Sequence, residues 1–410
     1  MLLKDSYILN EGYGDNKNLF SSGIGSNIFV GKKKYLDLSL CAGSLILGHN
    51  SKIFKKSINQ VFKNNISNLA AKNLHAYNFS KTLKKKFPEY TKFIFCNSGT
   101  EAVFKSLRIA RALTKKELII SVTGSWHGST SELLFTNNEN LNSIPLSEGL
   151  EKQSKKKIKF IPYNNTEVSK KILDKYKKKI MCIILEPIQG CLPQNAEKYL
   201  KFLDNYSKKN KILIIFDEMI TGLRFNCSSV QNELKLSPSI STFGKCLGGG
   251  LPIGIIAIQK VIEKKLNKKK NKVFFGGTFS GNSINTYVAN KVVNYILKNK
   301  TYIFNNIKKK SEYLETELNN FFKKENYDAK CFRTASMLRI VFTKKTIKSR
   351  IQRDFFEKKK NNKINTLKKF YFSKKIYYPS SGIIFLATST SMDDLKYFIK
   401  ITKIAFKKIF

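Results

Sequence analysis

Histidine is nearly missing from this chain: there are three in 410 residues. The seven cysteines are Cys41, Cys96, Cys182, Cys191, Cys227, Cys246 and Cys331. They are scattered, odd in number and never in a C-x-x-C arrangement, which argues against a structural zinc site. They are expected to be reduced thiols, mostly buried. No run of about 18 uncharged apolar residues is present, so no membrane span is expected. The opening residues, MLLKDSYILNEGYGDNKN, lack a long apolar stretch and a small-residue cleavage site, so they do not read as a secretion signal. A cytoplasmic location is the default expectation. No repeat of about 20–50 residues is visible, which argues against a solenoid or propeller.

Acidic residues are scarce too, 29 against 75 basic ones, and the net charge is +46. Nucleic acid is one partner such a charge would suit. Yet the basic residues are almost all lysine, with only seven arginines, and nucleic-acid interfaces favour arginine for its bidentate geometry. The chain is also rich in Asn, Ile and Phe, as AT-rich coding would produce. The lysine triplets are read as solvated helix faces and loops, and no specific nucleic-acid partner is expected.

What is present is ample apolar residue content, 42%, enough for a large core and two or three domain-sized units. FIFCN (93–97), LIISV (118–122), IMCIILE (180–186), KILIIFD (211–217), ISTF (240–243) and GIIAIQ (254–259) read as buried strands. They are β-branched or aromatic and meet charge only at their ends, as strands covered on both faces do. Helical stretches such as EAVFKSLRIARALTK lie between them. The pattern is α/β with a mostly parallel sheet, which places ligands at the carboxyl ends of its strands. From about Lys291 a long helix is expected, then CFRTASMLRIVFT as a strand, a lysine-rich stretch, IIFLATS as a strand, and a last helix after Met392. Three parts follow: 1–50 joining the smaller domain, 51–290 as the large domain, and 291–410 as a small α+β domain.

Several motifs sit at strand ends. Asn97-Ser98-Gly99-Thr100-Glu101-Ala102 follows a strand and opens a helix. A glycine there lets the backbone approach an anion, and the helix N-terminus offers free amides. Taken alone, it could equally be a capped helix start. Ser125-Trp126-His127-Gly128 holds the only tryptophan. Such a ring can stack on a planar cofactor or simply pack. Asp217 ends a buried strand, where a carboxylate needs a partner. The candidates are a cationic ring nitrogen, a helix end or a metal, although neighbouring Glu218 should point to the other face. Lys245 is one of 68 lysines, but it follows an apolar strand and precedes Cys-Leu-Gly-Gly-Gly. Such a site desolvates an amine toward its nucleophilic form. The glycines come after the lysine, the wrong order for a P-loop. Glu186-Pro187-Ile188-Gln189-Gly190 and Gly276-Gly277-Thr278-Phe279-Ser280-Gly281-Asn282 complete the set.

In this order and spacing, these motifs resemble the class III aminotransferases of fold type I. The resemblance runs from about Leu36 to Val293 and continues weakly to the end. LCAGSLILGHN, FDEMITGLRF and YYPSS bring it nearest the glutamate-1-semialdehyde aminomutase group. It implies a PLP-transferase fold, a mostly parallel seven-stranded sheet covered by helices with a smaller α+β domain from the two termini. It implies pyridoxal 5'-phosphate as cofactor, Lys245 as the Schiff-base lysine and proton shuttle, and Asp217 as partner of the pyridine nitrogen. Ser98, Gly99 and Thr100 would hold the phosphate. Trp126 would stack on the ring, with His127 beside it, Met219 beneath it and Glu186 near its polar edge. Thr278 would reach the cofactor of a second subunit, so a homodimer with shared sites is implied. The substrates would be a small-molecule amino donor and a carbonyl acceptor.

The chain departs from the aminomutases in three places. LFSSGIGSN has no arginine where they carry Asn-Ser-Pro-Val-Arg. Pro379-Ser380-Ser381-Gly382-Ile383 has no glutamate after Pro-Ser. The segment from Trp126 to Lys159 is rewritten where they have a gating loop. Cys191 also stands where many relatives have glutamate or asparagine. A transaminase is therefore expected, with Arg333 or Arg339 as a replacement carboxylate anchor or as plain surface arginines. The aminomutase, a racemase or epimerase of the same class, and a cofactor-binding regulator remain rival readings. For the charge, filter binding to random duplex DNA should be weak and vanish by about 0.5 M salt; affinity that survives such salt would revive a nucleic-acid role.

Overall fold

The computed structural model describes residues 19–225, 227–268 and 273–410. Residues 1–18, which include the opening stretch read against a secretion signal and most of the 1–50 segment's start, lie outside these.

Seven strands form the central sheet: β1 (Tyr90–Cys96), β2 (Leu118–Val122), β3 (Ile158–Ile161), β4 (Ile180–Leu185), β5 (Leu213–Asp217), β6 (Ile240–Gly244) and β7 (Gly254–Gln259). Their order is β1-β7-β6-β5-β4-β2-β3. The pairs from β6 to β3 are parallel, and β7 runs antiparallel to both neighbours. The expected strands are therefore present and the sheet is mostly parallel. The reversal at β7 has a simple cause. Only nine residues, 245–253, join β6 to β7. A parallel crossover needs about a dozen or more. β4, β5 and β6 are buried along their whole length, which is why they read as unbroken apolar runs.

Helix α1 (Gly99–Thr114) covers one face of the sheet. Ser98 caps it, its hydroxyl accepting from the Glu101 amide at 3.1 Å. It ends at Lys115, whose φ of 59° is left-handed and whose amide donates to Arg111 O. Ala102, Val103, Leu107, Ile109 and Ala110 face the core with Ile256 and Ile258 of β7. Where α1 begins, β7 also begins. A Cβ on Gly254 would lie 2.1 Å from the Ser98 carbonyl oxygen. Glycine is required at 254 because backbone meets backbone there.

Both ends of the chain meet in a second sheet. Strand residues Lys33–Asp37 pair in parallel with Ile376–Tyr377, in the register Leu36 to Ile376. Beyond the central sheet the expected elements differ in detail. The long helix begins at Ser283, not near Lys291, and breaks at Asn299 into Ser283–Lys298 and Lys300–Lys324. Residues 290 and 291 therefore lie inside one helix. CFRTASMLRIVFT is not one strand but a hairpin, Lys330–Thr334 and Met337–Val341, turning where Ala335 takes a φ of 51°. The alternation of apolar residues continues across the turn, which hides it. IIFLATS contributes only Ile384–Phe385 to a sheet. The lysine-rich stretch forms helices Arg350–Lys358 and Asn361–Ser373. No helix among the described residues is long and apolar enough to cross a membrane.

Gly254→Ala should strain the junction of β7 with the start of α1. The expected loss is about 1–3 kcal/mol of stability, as for other overpacked core positions. Denaturant unfolding of the purified variant measures it, and wild-type stability would show that Ser98 can move aside freely.

Candidate active site

The strand order brings the carboxyl ends of β6, β5, β4 and β2 side by side. Lys245 follows β6, Asp217 ends β5, Glu186 follows β4, and Trp126 and His127 follow β2. Together with Gly99 and Thr100 at the start of α1, and Met219 after Asp217, these side chains line one cavity of about 200 Å3. Ile220 and Ile253 supply apolar wall. Ser98 and Thr278 do not line it, and Thr278 is the residue that the resemblance assigns to a second subunit's cofactor. The Ser98 hydroxyl is used as the helix cap, as one reading of the motif allowed. Thr278 is exposed and lies outside the cavity.

Asp217 is 3% exposed and fully engaged. Its Oδ2 lies 2.8 Å from His127 Nδ1. Its Oδ1 accepts from the Met219 amide at 3.1 Å and from Thr242 Oγ1 at 3.3 Å. His127 is equally buried, and its Nε2 has no protein partner. Glu186 accepts from the Trp126 amide at 2.8 Å. Burial, and then the nearby Asp217 charge, push its carboxyl up to about 7. Lys245 is half-buried on a left-handed turn, with φ of 46°. Burial pushes its ammonium toward the neutral amine; Glu186 and Asp217 oppose this and Arg224 adds to it. The cavity thus holds an amine inclined to lose its proton between two carboxylates.

The loops are tied to one another. Gln189 Nε2 donates to Thr123 O at 2.7 Å and to Ser125 Oγ at 3.3 Å. Thr100 Oγ1 accepts from the Ser129 amide at 3.2 Å. A Cβ on Gly128, whose φ is +79°, would lie 2.2 Å from that Oγ1. Glu218 faces away from the cavity, as expected. It accepts from the Val230 and Gln231 amides at 3.1 and 2.9 Å and from Thr221 Oγ1. No cluster of metal-ligating side chains occurs among the described residues. Gln189, Thr242 and Arg224 are functional neighbours to which the motifs alone assigned no part. Gln189 and Arg224 stood within recognised motifs, and Arg224 was one of few arginines among many lysines.

Of the two candidate anchors, Arg333 is spent on Glu315 at 2.6 Å and Glu312 at 3.7 Å. Arg339 is nearly buried. It donates to Ser381 O, lies 3.4 Å from Glu357, and leaves Nε without a partner.

These residues fit pyridoxal phosphate. The free amides of a helix N-terminus suit its phosphate, the buried Asp217 suits a cationic ring nitrogen, and the unpartnered His127 Nε2 leaves one more polar contact to be filled. The comparisons with known proteins agree. The family model for class III aminotransferases matches residues 28–369, and the chain belongs to that family. It is 32% identical over 400 residues to the glutamate-1-semialdehyde 2,1-aminomutase of Methanosphaera stadtmanae, covering 95% of this chain and 91% of that one. It is 36% identical over 298 residues to the same-named protein of Wigglesworthia glossinidia brevipalpis, covering 70% and 67%. An omega-transaminase structure from Sphaerobacter thermophilus superposes with a TM-score of 0.87 at 18% identity, covering 95% of this chain and 90% of that one. A glutamate-1-semialdehyde-aminomutase variant from Pseudomonas aeruginosa, in complex with PMP, gives 0.83 at 14% identity, covering 95% and 87%. At that identity the structures show the fold, that of fold type I transaminases. The chain is a pyridoxal-phosphate-dependent enzyme of the class III family.

The raised Glu186 carboxyl implies a pH signature. The folded protein holds this proton more tightly than the unfolded chain, so the contribution is complete below the usual glutamate range. It is lost as pH rises toward and through about 7. Thermal unfolding of the cofactor-free protein from acid to neutral pH should therefore lose stability more steeply for wild type than for Glu186→Gln. The expected difference is on the order of 3 kcal/mol; parallel curves would refute the assignment.

Proposed function

We propose that the protein is a cytoplasmic transaminase that moves an amino group between a donor amine and a keto acid or aldehyde other than glutamate semialdehyde. The observation that carries the amino-transfer reading is the single cavity holding Lys245, Asp217 and the start of α1. When bound, pyridoxal phosphate supplies a carbonyl that condenses with amines and a cationic ring that withdraws electrons from the carbon attached to them. The chain does the rest. Gly99 and the α1 amides bind the phosphate, with Thr100 beside them. Asp217, oriented by His127 and Thr242, keeps a negative charge against the ring nitrogen. Lys245 Nζ, favoured as a neutral amine by its burial, takes and returns the proton at the substrate carbon. Trp126, a cavity-lining residue that is 53% exposed, would stack on the ring face and shield it from water. Met219 would pack beneath the ring, and Glu186 would lie at its polar edge.

The choice of transaminase over aminomutase is supported by the walls. The 379–383 segment, which has no glutamate after Pro-Ser, brings Ile383 beside Gly190, next to the cavity-lining Ile220. The segment that would be a gate is a hydrogen-bonded hairpin, Phe135–Asn137 with Ser143–Pro145. Phe135 and Leu133 anchor it in the core. A segment anchored in this way suits an enzyme that does not close a gate over a retained intermediate. The names of the curated relatives support the aminomutase instead, and it is kept as the second reading.

A homodimer belongs to the same proposal. Thr278 is supported as a contributor to a second subunit's site by its own exposure and by its exposed neighbours Phe274 and Phe279. Lys105 holds this segment through Phe275 O at 2.7 Å and Gly276 O at 3.3 Å. The division into a cofactor-binding part, 51–290, and a smaller part from 1–50 and 291–410 is proposed likewise.

Absorbance spectroscopy with a panel of amino donors tests the reaction. Donors should bleach the cofactor band and a carbonyl acceptor should restore it. Fast turnover of glutamate semialdehyde alone, with no second substrate, would select the aminomutase. Lys245→Ala should lose the lysine-linked band and lower multiple turnover by about 10²–10⁴-fold or more; a surviving band would remove Lys245 from its role.

A further inference from the structure

Arg224 is 2% exposed, and it is the bulkiest side chain so deeply buried. Among the described residues it forms no ion pair. Burying a guanidinium without a carboxylate is costly unless its donors are met. Here neutral acceptors meet them. Nη1 donates to Ser336 Oγ at 2.6 Å, Nε to Ile220 O at 3.3 Å, and Nη2 to Gly43 O. Nη2 also lies 3.2 Å from Cys246 Sγ, and the guanidinium stands 5.0 Å over the Phe385 ring.

These partners come from four separate segments. Ile220 belongs to the turn after Asp217. Ser336 and Phe385 belong to the C-terminal part. Gly43 closes a turn in which Leu40, Cys41 and Ala42 all take left-handed φ, between 46° and 54°. Such a run costs roughly 1–2 kcal/mol per residue, so the surroundings must impose it. Cys246 immediately follows Lys245, and its thiol donates to the same Gly43 oxygen at 3.1 Å. Lys245 itself is left-handed, a conformation with no glycine to ease it.

We propose that Arg224 is a positioning residue for Lys245: with Gly43 O and Cys246 Sγ it clamps the strained turn that aims the lysine into the cavity. The inference rests on the reading of Lys245 as the cofactor-binding lysine, and not on the identity of the substrates. The clamp has a second effect through its fixed charge. The groups around the Lys245 amine are Asp217 after β5, Glu186 after β4, His127 after β2, Cys246 on its own turn, and Arg224. Arg224 is the permanent cation among them, and a cation disfavours a proton on the lysine nitrogen. A merely structural staple would hold the segments together without either effect.

The test uses the full-length protein loaded with pyridoxal phosphate, and the variants Arg224→Met, Arg224→Lys and Cys246→Ala. Two quantities are read: the pH midpoint of the lysine-linked absorbance band, and the rate at which that band forms when cofactor is added to the stripped protein. Arg224→Met should raise the midpoint by ~0.5 unit or more, about threefold in proton affinity, since a cation is lost. Arg224→Lys restores the charge and should recover at least half of that shift. Cys246→Ala leaves every buried charge in place and should slow band formation by about threefold or more with little midpoint change. Should Arg224→Met fail to fold, the other two variants decide: wild-type rates of band formation in both would overturn the clamp. An Arg224→Met protein that folds, with wild-type midpoint and rate, would overturn it as well. A wild type that forms no band at all would overturn the Lys245 reading and the clamp with it. A normal wild-type band with unaffected variants removes the clamp alone.

Discussion

Two carboxylates and one amine are buried together at the carboxyl edge of a parallel sheet. Most of the local architecture follows from the need to satisfy them. Asp217 has only acceptors to offer, so it is met by an imidazole, a hydroxyl and a backbone amide. Glu186, with fewer donors around it, answers by holding its proton more tightly. Lys245, set between them, is driven the other way by burial. Neighbouring strands are about 4.8 Å apart, so residues at successive strand ends cannot avoid one another. The sheet order, more than any single contact, converts three distant stretches of chain into one electrostatic unit.

The central sheet was legible because its strands are buried on both faces and its motifs sit where strands end. Burial on two faces leaves an apolar run that needs no pairing information to be seen. The antiparallel β7 was also written in the chain, through the nine residues between Gly244 and Gly254, but apolar content does not reveal direction. The hairpin at Ala335 was not legible. Its turn carries neither glycine nor proline, and a non-glycine residue takes the left-handed φ. The break at Asn299 was hidden by lysines and apolar residues that suit a helix on both sides. The capping role of Ser98 was visible in the Ser-x-x-Glu spacing, beside its expected place in the phosphate cup. Arg224 was seen only as part of a motif, since its partners Gly43 and Ser336 lie 181 and 112 residues away.

The basic excess divides by residue type. Lysines mostly stand in solvent, several in i,i+4 pairs with acids such as Glu167 and Asp174, and such pairs contribute little. Arg224, Arg339 and Arg353 lie inside, where planar donors with fixed geometry reach several acceptors at once. Arg353 reaches Glu357 and Cys191 O together. A chain whose composition drifts toward lysine keeps arginine where a point charge cannot replace it. The large net charge is therefore a surface property, separable from the chemistry of the cavity.

Substrate choice turns on the other wall of that cavity. On the proposed roles, an aminomutase and a transaminase would share the proton transfers at Lys245 and the electron withdrawal that Asp217 supports at the ring nitrogen. They differ in whether the aminated product stays or leaves. Retention requires a closed mouth and polar groups that hold the molecule between steps. Here the wall carries Ile220 and Ile253, and Ile383 packs beside Ile220 outside the lining. Apolar surface discriminates weakly, by about 1–3 kcal/mol per methylene, and it offers no counter-charge to an amine. Arg339, whose Nε is unpartnered behind Gly382, stands nearby with Arg353 and Glu357. The cavity as lined takes all its walls from the sheet edge and its loops, residues 99 to 253. On the proposed reading, the sheet edge carries the family's chemistry and the smaller part of the chain decides whether an aminated product is held.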